Sequence, residues 1–160
     1  MANRTVRFDT NQGTFRAELF EDRAPKTAGN FLSLVEKGFY DGVIFHRIID
    51  GFMIQGGDPT GTGTGSNGST RLKAEFNRRP DRKHSRGVLS MARSNDPNSA
   101  SCQFFIMHKT SPHLDCQYSA FGKVTSGIEV VEKIVNAPTG ANDRPRNPAS
   151  IKGIKIEEKK

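Results

Sequence analysis

The order of the periodic segments along the chain constrains its fold more than any other feature. Eight short segments alternate or are apolar in the manner of β-strands, and two have the spacing of an amphipathic helix, one early and one late. Strands and helices do not alternate throughout, which argues against a doubly wound parallel sheet. The pattern favours a mainly antiparallel sheet or barrel with helices at its open ends. At 160 residues we expect one domain, residues 1–160, with a buried core.

The bounds of the predicted elements follow from local spacing and turn residues. The first helix begins at Pro25 and ends near Gly38, and Ser126 is expected to cap the second. The apolar stripes are Ala28, Phe31, Leu32 and Val35 in the first helix, and Ile128, Val131, Ile134 and Val135 in the second. The predicted strands span residues 5–10, 14–20, 43–49, 52–55, 87–92, 103–108, 119–124 and 150–157.

Two of these strands carry polar, donor-bearing side chains among hydrophobic ones. Alternation predicts one shared face in each strand, made of Val43, Phe45, Arg47 and Ile49 in the first and of Gln103, Phe105 and Met107 in the second. A guanidinium beside aromatic rings and an amide, without a nucleophile or an acid/base pair, indicates a site that binds and polarises a neutral group.

The composition narrows the class of protein. Hydrophobic residues make up 34% of the chain and charged residues 26%, which is typical of a soluble globular domain. No apolar run approaches the roughly 18–20 residues needed to span a bilayer. The first ten residues lack the apolar stretch of a signal peptide and alternate like a strand. We therefore expect a cytoplasmic protein, in which Cys102 and Cys116 are free thiols.

Part of the net charge of +7 is concentrated between residues 71 and 93. Glu75 and Asp81 are the acidic residues there, and the basic ones are Arg71, Lys73, Arg78, Arg79, Arg82, Lys83, Arg86 and Arg93. Such a stretch could contact nucleic acid or an acidic partner, but it has one aromatic residue and no regular helical spacing. We interpret it as a solvated basic loop and keep nucleic-acid binding as the weaker alternative.

Other candidate motifs favour less specific interpretations. Residues 63–68 match G-x-G-x-x-G, but an amphipathic helix does not follow, so the glycines are better explained by close approach of the backbone to a bound chain. The spacing of the histidines and cysteines does not resemble a zinc site, and Asp50 and Asp58 beside glycines are explained by turns. The histidines are His46, His84, His108 and His113.

A resemblance to a known family adds a specific expectation. Residues 45–58, which read FHRIIDGFMIQGGD, are similar to the signature of the cyclophilins, the cyclosporin-binding peptidyl-prolyl isomerases. The resemblance covers nearly the whole chain and continues through residues 63–65, 89–92, 101–106 and 120–124. It implies a closed eight-stranded antiparallel β-barrel capped by two α-helices. The compact length, with His113 and Tyr118, resembles small single-domain, bacterial-type members.

The resemblance also implies the site residues. Arg47 would be catalytic, Gln55 and Gln103 would hold the substrate backbone, and a pocket would bind the proline ring. The pocket would consist of Phe52, Met53, Phe105 and Leu114, and the groove for preceding residues of Gly63, Ala92, Arg93 and Ser94. Arg93 and Ser94 stand where well-known members carry Asn and Ala, His113 where they carry Trp, and Tyr118 where they carry His. The loss of the tryptophan predicts reduced affinity for cyclosporin.

The implied function is cis-trans isomerisation of Xaa-Pro bonds without metal or cofactor, assisting protein folding. We expect a monomer, because nothing in the sequence signals an interface. Its partners would be proline-containing peptides and unfolded or flexible protein segments, with no membrane. Arg47 would stabilise the twisted transition state without a covalent step. The main alternative is a binding module that captures proline-containing segments without turnover.

Overall fold

The computed structural model describes residues 4–21, 24–49, 51–57, 84, 86–92, 103–110, 118–140, 145–146 and 149–157. The helices are α1 (Pro25–Glu36) and α2 (Ile128–Val135). The strands are β1 (Thr5–Thr10), β2 (Gly13–Leu19), β3 (Phe45–Ile49), β4 (Met53–Gly56), β5 (Val88–Met91), β6 (Phe104–Met107), β7 (Ala120–Ser126) and β8 (Ile151–Glu157). Every predicted strand is confirmed to within two residues at each end.

The eight strands form one antiparallel sheet in the order β3-β4-β6-β5-β7-β2-β1-β8. The outermost strands, β3 and β8, are linked where they begin. There the N–H of Phe45 donates to the carbonyl of Ala149 at 2.9 Å, and the N–H of Ile151 donates to that of Val43 at 2.8 Å. These bonds bring the two edges of the curved sheet together, and the predicted eight-stranded, two-helix barrel fold is confirmed.

The main core lies inside this sheet, where α1 inserts an aromatic side chain among those of the strands. The ring centroid of Phe31 lies 5.1 Å from those of Tyr40 and Phe121 and 5.5 Å from that of Phe104. Edge-to-face and offset contacts of this kind stabilise beyond the area that they bury. The main core also includes Val6, Phe8, Phe15, Ala17, Leu19, Phe45, Ile48, Ile54, Leu89, Met91, Ile106, Val131 and Ile134.

The two helices begin in different ways. Pro25 opens α1 as predicted, and the N–H of Gly38 donates to the carbonyl of Val35 at its end. The prediction that Ser126 caps α2 was wrong, because Ser126 ends β7 and Gly127 is the N-cap. Gly127 has φ +81°, and a Cβ there would lie 2.6 Å from the carbonyl oxygen of Thr14. Only glycine fits this tight passage from strand to helix.

Strand β3 differs from the predicted alternation. Phe45 and Ile48 both belong to the main core, whereas Arg47 is exposed and Ile49 lies on the outer face. The pairing with β4 shifts between Phe45 and Arg47, which leaves His46 as an extra residue. The prediction that Phe45 shares a face with Arg47 and Ile49 was therefore wrong, because this bulge interchanges the faces.

Candidate functional site

Five neighbouring strands align side chains in one row across the sheet. Arg47 in β3 is paired with Gln55 in β4, which is paired with Phe105 in β6. Phe105 is in turn paired with Ser90 in β5, and Ser90 with Ala120 in β7. Directly paired residues have their Cβ atoms about 4.5–5.5 Å apart. The register therefore places a cation, an amide and an aromatic ring side by side, although they are far apart in the sequence.

An apolar pocket cluster, separate from the main core, surrounds this row. Its buried members are Met53, Val88, Phe105, Met107 and Ala120, and its partly buried members are Ile49, Phe52, Ala92 and Tyr118. Met53 is paired with Met107 on one side and with Ile49 on the other. The structure thus brings together Phe52, Met53 and Phe105, as the sequence predicts for a proline pocket. A partly covered apolar cluster of this kind is suited to a small hydrophobic ring.

An amide pair lies beside Arg47. The Nε2 of Gln55 donates to the Oε1 of Gln103 at 3.0 Å, and both side chains are half-buried. Each side chain thereby fixes the orientation of the other's amide group. Two oriented amides next to an apolar cluster are suited to donate to and accept from the backbone of an extended peptide.

The side chain of Arg47 is exposed on this face. Within the part of the chain that the structure describes, no acidic side chain forms an ion pair with it. The ion pairs in that part join arginines elsewhere, such as Arg4 with Glu21 and Arg16 with Glu157. Among the described residues, the guanidinium of Arg47 is therefore not held by an acidic side chain.

The aromatic wall of the pocket cluster has a polar support. The ring of Phe105 meets that of Tyr118 edge-on, with centroids 5.6 Å apart, and stacks on His84 at 6.1 Å. The Nε2 of His84 is 2.8 Å from the Oγ of Ser90, and both residues are buried. The sequence analysis missed Ser90 and His84 as neighbours of the site. The signal available for Ser90 was the position of a serine between apolar residues in β5.

Several predicted residues lie outside the described ranges. They are Gly63, Arg93, Ser94, His113 and Leu114 of the site, both cysteines, and the basic stretch except for His84, Arg86 and their described neighbours. Among the described residues, no three His, Cys, Asp or Glu side chains are arranged to hold a metal ion. In the same residues, no helix is long and apolar enough to cross a membrane.

Comparison with known proteins decides the family. A sequence model of the family described as cyclophilin type peptidyl-prolyl cis-trans isomerase/CLD matches residues 5–156. The chain belongs to this family. This cyclophilin is 44% identical over 154 residues to peptidyl-prolyl cis-trans isomerase-like 1 of Emericella nidulans. The aligned residues cover 96% of this chain and 94% of the relative. It is 45% identical to human peptidyl-prolyl cis-trans isomerase-like 3, with 95% of each chain covered.

Solved structures agree with this assignment. A crystal structure of a cyclophilin type peptidyl-prolyl cis-trans isomerase from Cryptosporidium parvum superposes with a TM-score of 0.91, at 39% identity and with 99% of each chain covered. A structure of the same protein in the presence of the dipeptide Ala-Pro gives a TM-score of 0.90, at 40% identity and with 97% of this chain and 99% of that chain covered. The family, the fold and the isomerase class of this cyclophilin therefore agree with the sequence analysis.

Proposed function

We propose that this cyclophilin catalyses rotation about Xaa-Pro bonds in peptides and in unfolded or flexible protein segments, assisting their folding, with Arg47 as the catalytic residue. The observation that carries the proposal is the row of Arg47, Gln55 and Phe105 on adjacent strands beside the pocket cluster. The presence of Ala-Pro with the Cryptosporidium cyclophilin supports a proline-containing substrate.

The chemistry of prolyl rotation requires the kind of group that Arg47 provides. Amide resonance raises the barrier to rotation to about 18–20 kcal/mol, and the twisted transition state loses this conjugation. The prolyl nitrogen then becomes pyramidal and can accept a hydrogen bond. A guanidinium aimed at this nitrogen, or at the nearby carbonyl, interacts more strongly with the twisted bond than with either planar isomer. Such differential binding lowers the barrier without proton transfer or a covalent intermediate.

The surrounding residues would hold one side of the bond while the other rotates. In this proposal Phe52, Met53 and Phe105 grip the proline ring, with Leu114 completing the pocket. Gln55 and Gln103 hold the backbone of the substrate, since their mutual hydrogen bond orients both amides. Ala92, at the edge of the pocket cluster, would border the groove formed with Gly63, Arg93 and Ser94.

The test is an isomerase assay on the wild type and on Arg47→Ala with a proline-containing peptide. We expect kcat/KM to fall by about 10²–10³-fold, the usual cost of removing a preorganised donor to the transition state, with the fold intact. Arg47→Lys should recover only part of the activity, because an ammonium lacks the planar fork of donors. Arg16→Ala serves as the matched control, since Arg16 is paired with Glu157 away from the site. Near-normal turnover by Arg47→Ala would contradict the proposal.

Peptide binding measured in parallel separates catalysis from capture. If Arg47→Ala binds the peptide as the wild type does but isomerises it slowly, Arg47 acts mainly in the transition state. If the wild type binds without measurable turnover, the protein is a binding module and the catalytic proposal fails.

Cyclosporin affinity and location are further parts of the proposal. We expect weaker cyclosporin binding than in tryptophan-bearing relatives because of His113. Calorimetry on the wild type and His113→Trp checks this, and equal affinities would refute it. The cytoplasmic location and the monomeric state stay predictions, which cell fractionation and light scattering would check.

A further inference from the structure

His108 contacts the turn that carries part of the pocket cluster. It follows the last residue of β6, and its side chain is only 10% exposed. Its Nδ1 accepts a hydrogen bond of 2.9 Å from the backbone N–H of Gly51. Its own backbone N–H donates to the carbonyl of Phe52 at 2.8 Å. One residue therefore binds two successive residues of the turn between β3 and β4, once through its side chain and once through its backbone.

The hydrogen bond with Gly51 assigns the tautomer of the neutral ring. Since Nδ1 accepts, the ring proton is on Nε2. That nitrogen faces α2, 4.0 Å from the Oε1 of Glu132, whose carboxylate also pairs with Arg86. The arrangement is electrostatically favourable, since the nitrogen that carries the proton lies near a carboxylate. The imidazole thus lies between the turn and α2 and contacts both.

The position of this turn matters for the site. It joins β3, which carries Arg47, to Phe52 and Met53 of the pocket cluster. Strand β3 is at one end of the strand order, and its ladder pairs it only with β4 among the described strands. Gly51 has φ +78°, a left-handed conformation, so its amide points away from the regular ladder and towards His108. At this end of the hairpin, the side chain of His108 adds a hydrogen bond at Gly51 to the backbone hydrogen bonds that His108 and Lys109 donate to Phe52.

We propose that His108 is a positioning residue for isomerisation: by accepting the N–H of Gly51, its imidazole holds the β3–β4 turn and so fixes Phe52 relative to Arg47. This inference rests on the proposed function, because it concerns the geometry of the same site. His108 itself does not touch the substrate in this proposal, and it acts through the turn.

Three substitutions at position 108 separate the hydrogen bond from simple packing. In His108→Asn the amide oxygen lies about where Nδ1 was, so the bond with Gly51 can be kept. His108→Gln places its amide oxygen farther out, and His108→Leu removes the acceptor. We expect His108→Asn to retain wild-type kcat/KM to within about threefold, and the other two to lose about tenfold through misplacement of Phe52. Glu132→Gln is the control, because it changes the contact with α2 and leaves the acceptor for Gly51 in place.

Hydrogen exchange of the Gly51 amide, followed by NMR at a temperature where every variant is folded, provides the second measurement. It should accelerate about tenfold in His108→Gln and His108→Leu, and little in His108→Asn and Glu132→Gln. Unchanged exchange in His108→Leu, or faster exchange with wild-type kcat/KM, would overturn the positioning role. A loss of kcat/KM in His108→Asn equal to that in His108→Leu would overturn it too, because the role would then be packing. An inactive wild type would instead refute the isomerase proposal.

Discussion

The main core and the pocket cluster are built from the same strands but differ in how completely they are covered. In β6, Phe104 and Ile106 belong to the main core, and Phe105 and Met107 to the pocket cluster. Among the described residues, four members of each cluster are only partly buried, but the main core has 28 buried members and the pocket cluster has five. Adjacent residues of one strand thus pack into different clusters: one face contributes to the main core, and the other to the cluster that we propose binds the proline ring.

The largest expected effect concerns Phe104, which belongs to the main core. Phe104 is fully buried, and its ring meets those of Phe31 and Tyr40 nearly at right angles, with centroids 5.5 Å away. Phe104→Ala should lower the free energy of unfolding by about 3–5 kcal/mol, because it removes these contacts and leaves a cavity. Denaturant unfolding measures the change. A loss below about 1 kcal/mol would mean that the core collapses around the smaller side chain.

The second largest expected effect concerns Phe105, the next residue of β6, which belongs to the pocket cluster. Phe105→Ala should lower kcat/KM by about 10–100-fold, since the ring would contact proline in the transition state as well as in the ground state. Its effect on the free energy of unfolding should be less than half that of Phe104→Ala, because its ring, although buried, packs in the smaller cluster, where Phe52 and Tyr118 are only partly buried. The same denaturant experiment and the isomerase assay check both parts. Equal destabilisation by the two substitutions would remove the distinction between the two clusters.

The smallest effect concerns an ion pair at the surface, away from both clusters. The Arg4 guanidinium, by its hydrogen bond to Glu21, lowers the pKa of that carboxyl below its ordinary value. A carboxylate with a lowered folded-state pKa stabilises the protein at neutral pH, and this contribution is lost as the pH falls through the folded-state pKa. Glu21→Gln should cost less than about 1 kcal/mol at neutral pH, as expected of a solvent-accessible pair.

The control for this pair is a double-mutant cycle with Arg4→Gln, measured by denaturant unfolding at neutral and at acid pH. The coupling energy between the two residues should shrink as the solution is acidified, because the carboxylate becomes protonated. A coupling energy that stays constant down to acid pH would show that the charge of Glu21 does not contribute.

The local sequence pattern correctly predicted those structural features that depend on residues close together in the chain. The alternation of residues 103–107 correctly assigned Phe105 and Met107 to one face, since β6 pairs regularly on both sides. The same rule failed in β3, because nothing in the local pattern marks His46 as an extra residue. The left-handed start of α2 at Gly127 was missed because its need for glycine comes from Thr14, a distant part of the chain.

The candidate site shows the same limit. Arg47, Phe52, Gln55 and Phe105 were predicted from motifs that resemble those of a family. The register of the strands places Arg47, Gln55 and Phe105 in one row, and Phe52 packs against the same cluster as Phe105. His108 was considered only as a metal ligand and set aside. Its partner Gly51 is 57 residues earlier in the sequence, so no periodicity could reveal the hydrogen bond between them. Contacts of this kind depend on how strands pair, which single-sequence spacing does not encode.

The pairing of β1 with β8 has a consequence for biosynthesis. All six residues of β1 have partners in β8, from Thr5 with Glu157 to Thr10 with Ile151. A nascent chain on the ribosome therefore cannot complete its sheet until β8 has emerged, and until then β1 presents an unprotected edge. A protein that we propose to help other chains fold must itself finish folding late, after nearly all of the described chain has been translated.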